Sequence, residues 1–211
     1  MLKKGVLGMK LVAVTNGKMR RQTLSAAIAE IEPLVDLIIL RETHMNDADY
    51  QSIVEGLIAS GVNRDKLCIH SRLDVAGETG APNIHLKEKG SGVTKVKQTD
   101  PSLKVGVSVH SLQAAKQAEE EGADYVMFGH VYATSSKKGM EPRGLEELES
   151  ITSSIDIPVI AIGGITPDRI LEIQEAGAAG VAVMSGIFEA AQPLQAVKRY
   201  VKELTIHEGT L

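Results

Sequence analysis

Eight short apolar runs, spread evenly along 211 residues, constrain this chain more than any other feature. They are Leu11–Val14, Leu37–Leu40, Lys66–Ile69, Asn83–Leu86, Val105–Val109, Asp124–Phe128, Pro158–Ile162 and Gly180–Met184. Most are continuous rather than alternating, the pattern of parallel strands covered on both faces. Helix-period segments lie between them. "SLQAAKQAEEEGADY" sets Leu112, Ala115 and Ala118 on one stripe and stops at Gly122. "TPDRILEIQEAGA" offers Thr166 as N-cap, Pro167 at the first helical position and Gly177 as its stop. "DADYQSIVEGLIASG", closed by Gly61, and "PLQAVKRYVKEL" fit the same template. The stretches "GETGAP" and "KEKGSGVTK", around the fourth run, are poor in helix formers and predict degenerate helices or loops.

Eight strand–helix units in this length predict a compact α/β fold, the (β/α)8 TIM barrel, near its lower limit of about 200 residues. A doubly wound open sheet uses the same alternation and is the alternative. No Pro/Gly/Ser linker or shift in composition divides the chain, so one domain over 1–211 is expected. With 43% hydrophobic and 24% charged residues, the composition is that of a soluble globular domain with a sizeable core. A net charge of −4 and 3% aromatics argue against a nucleic-acid partner, which would favour a basic face and stacking rings. Cys68, in the apolar run "KLCI", reads as a buried structural thiol, and a lone cysteine points to the cytoplasm. The start, "MLKKGVLGMKLVAV", has no sustained apolar segment or small-residue cleavage site and reads as a leader into the first strand. No run approaches the ~18 apolar residues of a membrane span, so no membrane partner is expected.

In such a barrel the loops that follow the strands build the site, and those after the seventh and eighth often cradle phosphate. Here those loops carry Gly163-Gly164 and Ser185-Gly186. Glycine lets main-chain N–H groups approach an anion, and helix starts add positive potential. A phosphate monoester held mainly by backbone is the expectation. Five histidines, His44, His70, His85, His110 and His130, fall near the ends of runs two to six and predict a polar rim. The acids near those ends are Glu42, Asp47 and Asp74, and no His-x-His or His-Glu-x-x-His spacing occurs, which argues against a catalytic metal. His130 stands just past the sixth run in "GADYVMFGHVYATSSKKG", and an imidazole there suits taking a proton at one point of a substrate and returning it at another. The loop behind it offers Thr134, Ser135, Ser136, Lys137, Lys138 and Arg143, a cationic, hydrogen-bonding lid for a second anionic group. A solvated surface loop is the alternative.

Four segments, "VGVSVHSLQAA", "GADYVMFGHVYATSSKKG", "IPVIAIGGITPDR" and "GVAVMSGIF", together resemble the thiamine phosphate synthase superfamily, and within it the thiazole tautomerase (TenI) subgroup. The synthases join a pyrimidine pyrophosphate to a thiazole phosphate with Mg²⁺, and their pattern has Gln-x-Arg-x-Lys on strand two, Asn-Asp after strand three and Asp before strand four. Here Arg41 is kept, but Ile39 and Thr43 replace the Gln and Lys, His70-Ser71 replaces Asn-Asp, and Pro82 replaces the Asp. A pyrophosphate leaving group needs a divalent cation and carboxylates to hold it. The resemblance therefore implies a tautomerase without metal or organic cofactor. It would isomerise 2-(2-carboxy-4-methylthiazol-5(2H)-ylidene)ethyl phosphate to the aromatic carboxythiazole phosphate. It also implies that Gly163, Gly164, Met184 and Ser185 cradle the phosphate and that Lys137 is the lysine of the family's T-x-T-K loop. His130, in "FGHV" where the synthases usually carry proline, would be the general acid–base. Thr134, Ser136 and Arg41 would face the carboxylate, and Ser108 and His110 match ligand-facing positions. The synthase itself, a non-catalytic regulatory thiazole-phosphate binder and a metal hydrolase are the alternatives, and homo-oligomerisation is left open.

Overall fold

A computed structural model describes residues 8–89 and 92–208. Among them the eight runs become eight parallel strands, each within a residue of its expected ends. They are β1 (Lys10–Val14), β2 (Leu37–Leu40), β3 (Leu67–His70), β4 (Asn83–Leu86), β5 (Lys104–Val109), β6 (Tyr125–Gly129), β7 (Val159–Ile162) and β8 (Gly180–Val183). Each pairs with the next, and β8 pairs back onto β1 with Ala182 opposite Val12, so the sheet closes into a barrel. Closure excludes the open-sheet alternative.

Helices α1 (Arg21–Ile31), α2 (Asp47–Ala59), α3 (Leu73–Thr79), α4 (Val93–Thr99), α5 (Leu112–Glu120), α6 (Gly144–Ser154) and α7 (Ile170–Glu175) follow the first seven strands in turn. A short α8 (Ser185–Phe188) and a long α9 (Pro193–Glu208) follow the eighth. The weak helix signal around β4 matches α3 and α4, of seven residues each. Asn46 caps α2 by accepting from the Asp49 amide at 2.8 Å, and Ser111 caps α5 by accepting from Ala114 at 3.2 Å. Thr166 does not cap as expected: it leads into a tight turn, Pro167–Arg169, and its hydroxyl makes no capping bond. The reason is local, because the Arg169 amide that a cap would engage bonds to the Thr166 carbonyl at 3.0 Å. The expected leader falls mostly on residues 1–7, outside the described residues. No described helix is long and apolar enough to cross a membrane.

Alternation within each strand divides the core. Leu11, Ala13, Ile38, Leu40, Ile84 and Val126 belong to the large apolar layer shared with the helices. Their neighbours of opposite parity, Val12, Val14, Ile39, Cys68, Met127, Ile160 and Ala182, fill the barrel interior. Each fully buried aliphatic side chain adds roughly 1.5–3 kcal/mol by leaving water. The same parity, carried past the apolar interior, decides which polar side chains reach the open end. Arg41 follows Ile39 by two, His70 follows Cys68 by two, and Met184 follows Ala182 by two.

Candidate active site

A cavity of about 250 Å³ opens at the C-terminal ends of the strands. The eleven residues that the family resemblance placed at the substrate all line it. Arg41 directly follows β2, Ser108 lies on β5 with His110 just past it, and His130 follows β6. Thr134, Ser136 and Lys137 come from the loop after His130, and Gly163, Gly164, Met184 and Ser185 come from the loops after β7 and β8. Ser135 and Lys138 are exposed and absent from the lining, and Arg143 faces Glu147 at 3.8 Å. The expected lid is therefore narrower than its sequence.

The β7 loop is a backbone device. Gly163 has φ +103° and Gly164 φ +67°, conformations side chains disfavour. A Cβ on Gly163 would meet the His130 Cβ at 2.4 Å and its Cα at 2.7 Å, and one on Gly164 would meet the Ala133 carbonyl at 2.4 Å. The β6 and β7 loops are thus pressed together, backbone to backbone. The Val131 amide donates to Ile162 O at 2.9 Å, and Tyr132 donates to Gly163 O at 3.0 Å. Arg169 braces the turn from outside: its guanidinium donates to Gly164 O at 2.7 Å and lies 4.2 Å from the centre of the Tyr132 ring. The Tyr132 hydroxyl donates to Glu172 at 2.6 Å. Glycine at these positions holds His130 and the β7 loop at a fixed separation.

The histidines differ in state. His85 is buried, with Nδ1 3.0 Å from the Tyr125 hydroxyl and Nε2 2.9 Å from Ser108 Oγ. Burial, with the neighbouring His70, pulls its pKa down to about 3. His70 stacks on it with ring centres 6.4 Å apart, and burial plus the cations Arg41, Lys87 and Arg72 lower its pKa to about 4. Both rings are therefore neutral at physiological pH. His110 is bracketed by Glu88 at Nδ1 and by Lys137 Nζ, 3.0 Å from Nε2. His130 is 3% exposed, with Nε2 3.4 Å from the Met140 carbonyl and Nδ1 buried without a partner among the described residues.

His44 corrects the expected rim of five. It lies four residues beyond β2 in an exposed turn, its side chain 54% accessible, and does not line the cavity. His70, His85 and the supporting Tyr125 were missing from the sequence-derived ligand set. Strand parity was the signal for the first two, since both share the inward register of Cys68 and Asn83. The acids fare as follows: Glu42 is buried and accepts from the Gly17 amide at 3.3 Å, Asp47 pairs with Arg72 at 2.8 Å, and Asp74 is exposed. Among the described residues, no group of three His, Cys, Asp or Glu side chains is disposed to hold a metal ion. Cys68 is buried, and burial pushes its thiol up to about 12.

The sequence pattern of the family described as Thiamine monophosphate synthase matches residues 11–187. A thiamine-phosphate synthase of Clostridium acetobutylicum is 35% identical over 185 residues, covering 86% of this chain and 88% of that one. The solved thiamine phosphate pyrophosphorylase from Pyrococcus furiosus superposes with a TM-score of 0.81 at 29% identity, covering 94% of this chain and 96% of that one. A 3-hexulose-6-phosphate synthase, at 20% identity and a TM-score of 0.73 over 92% and 99% of the two chains, shares the fold. The Clostridium relative is named a synthase and the Pyrococcus structure a pyrophosphorylase.

Proposed function

The chain belongs to the thiamine monophosphate synthase family, and from that premise we propose that it is a thiazole tautomerase of thiamine biosynthesis. It converts the ylidene form of carboxythiazole phosphate to the aromatic thiazole. The observation that carries this reading is the pairing of an unpartnered His130 Nδ1 with a glycine anion loop packed directly against that residue.

The chemistry needs one proton moved and no net electrons. The C2–H bond of the ylidene substrate breaks, its electron pair enters the ring, the ylidene double bond shifts inward, and a new C–H bond forms at the exocyclic carbon. One base that becomes an acid is enough. Among the four imidazoles on the wall, His70 and His85 are held neutral with depressed basicity, and His110 is engaged on both nitrogens. His130 remains. With Nε2–H donating to the Met140 carbonyl, Nδ1 presents its lone pair as base and then holds the proton for return. The substrate carries two anions. The loops after β7 and β8 suit the phosphate, while Arg41 and Lys137 suit the carboxylate. The Arg41 guanidinium makes no hydrogen bond or ion pair among the described residues.

A second reading, the Mg²⁺-dependent synthase, is favoured by the names of the relatives. Names support it better than they support an isomerase. The residues argue otherwise. Magnesium takes hard oxygen ligands, usually with one or two carboxylates, and the ends of β3 and β4 offer the cavity the neutral rings of His70 and His85. These residues do not fit the ion. Parallel assays separate the readings. The ylidene substrate is followed for conversion to the aromatic thiazole, and pyrimidine pyrophosphate plus thiazole phosphate with Mg²⁺ is followed for thiamine phosphate. Aromatisation without added metal and negligible coupling are expected. Robust coupling overturns the tautomerase reading, and thiazole phosphate binding with neither turnover leaves a regulatory binder.

A further inference from the structure

We infer that Glu88 and His110 are positioning residues, which together hold the Lys137 ammonium at the cavity mouth and so set preference for a carboxylated ligand. For its ligand this rests on the tautomerase reading; the strut itself does not.

Three elements converge here. Glu88 lies two residues beyond β4, His110 directly follows β5, and Lys137 closes the short turn Ser135–Lys137 after β6. Lys137 Nζ sits 3.0 Å from His110 Nε2, and the Glu88 carboxylate contacts His110 Nδ1. An ammonium has donors and no acceptor, so Nε2 must receive the bond. A neutral imidazole then carries its proton on Nδ1 and donates it to Glu88. The carboxylate therefore fixes the tautomer that makes His110 an acceptor for the lysine. Without Glu88 the ring is free to protonate Nε2, which sets donor against donor.

The lysine needs such a partner. Its flexible four-carbon stem loses rotamer entropy on being fixed. The turn that carries it is tied through its backbone, with the Ser136 amide donating to Thr134 Oγ1 at 3.3 Å, the Lys137 amide to Thr134 O at 3.2 Å and the Met140 amide to Lys137 O at 3.1 Å, bonds that fix the main chain and leave the ammonium to His110. His110 and Lys137 both line the cavity, so an ammonium fixed there keeps two N–H donors for an incoming anion. The phosphate is served by the loops after β7 and β8, on the glycine side. The strut therefore acts on the second anionic group, the carboxylate.

The test combines ¹⁵N NMR of the imidazoles with calorimetry on two probes: carboxythiazole phosphate and the same thiazole phosphate lacking the carboxylate. In the unliganded parent, His110 should show the Nδ1–H tautomer, and Glu88→Ala should move it toward Nε2–H. Glu88→Ala should bind the carboxylated probe roughly tenfold more weakly, with the decarboxylated probe changed by less than about twofold. Glu88→Gln, whose amide oxygen still accepts, should restore most of the loss. If turnover is present, the loss should fall on KM with kcat nearly unchanged. An Nε2–H tautomer in the parent, an unchanged spectrum in Glu88→Ala, or equal losses for both probes overturns the proposal. Failure of the carboxylated probe to bind the parent strikes the functional reading instead, and the tautomer measurement still decides the strut.

Discussion

Replacing Gly163 by alanine tests whether the His130 imidazole and the glycine loop after β7 are one rigid unit. The added methyl would stand 2.4 Å from the His130 Cβ and 2.7 Å from its Cα, against an ordinary carbon contact of about 3.5–4.0 Å. The obstacle is backbone and the stub of a buried side chain, so no rotamer change relieves it. The residue also sits at φ +103°. Holding a non-glycine residue at positive φ costs about 1–2 kcal/mol, and a forced overlap in a packed region adds about 1–3 kcal/mol. A loss of about 3 kcal/mol lowers the melting temperature by about 6–12 °C in a chain of this length. Circular dichroism reads the melting, and calorimetry with inorganic phosphate reads the loop. Gly56→Ala is the control, since its Cβ meets nothing within 4 Å inside α2. That change should stabilise by up to about 1 kcal/mol. A Gly163→Ala protein that melts with Gly56→Ala and binds phosphate like the parent would refute the packing argument.

Further outcomes follow from the same contacts. His130→Asn should slow aromatisation by about 10²–10⁴-fold while phosphate binding persists; unchanged turnover removes His130 from the mechanism. Tyr50→Phe deletes a hydroxyl that donates to Leu40 O at 2.6 Å and accepts from the His70 amide at 3.1 Å, and should destabilise by about 1–3 kcal/mol in a urea melt. His70 and His85 have folded pKa values lowered to about 4 and about 3, so between about pH 6.5 and 5 the unfolded chain binds more protons than the folded one. Stability should therefore fall as pH drops through that window, each ring contributing up to about 1.4 kcal/mol per unit; a melting temperature flat or rising toward pH 5 contradicts their neutral burial.

How far the sequence reached can be read residue by residue. Continuous apolar runs placed all eight strands because parallel strands are buried on both faces, and the glycine stops at Gly61, Gly122 and Gly177 end their helices near where they were expected. The glycine loop and the residues around His130 were legible because barrel architecture puts those loops at one end. The interior wall was less legible. A run such as "NIHL" does not say which face is the lumen, so Tyr125 and the contacts that join it through His85 to Ser108, across β6, β4 and β5, emerge once closure sets the register. His44 failed for a related reason: past the end of β2 the chain turns, and nearness in sequence no longer implies an inward side chain. The partners of His110 lie 22 and 27 residues away, distances no local pattern encodes.

The most direct measurement is a crystal structure with carboxythiazole phosphate bound. The account predicts phosphate on the main-chain amides around Gly163, Gly164 and Ser185, with the thiazole C2 about 3–3.5 Å from His130 Nδ1, as a proton transfer requires. Phosphate lodged elsewhere, or C2 turned from His130 toward another wall of the barrel, contradicts it.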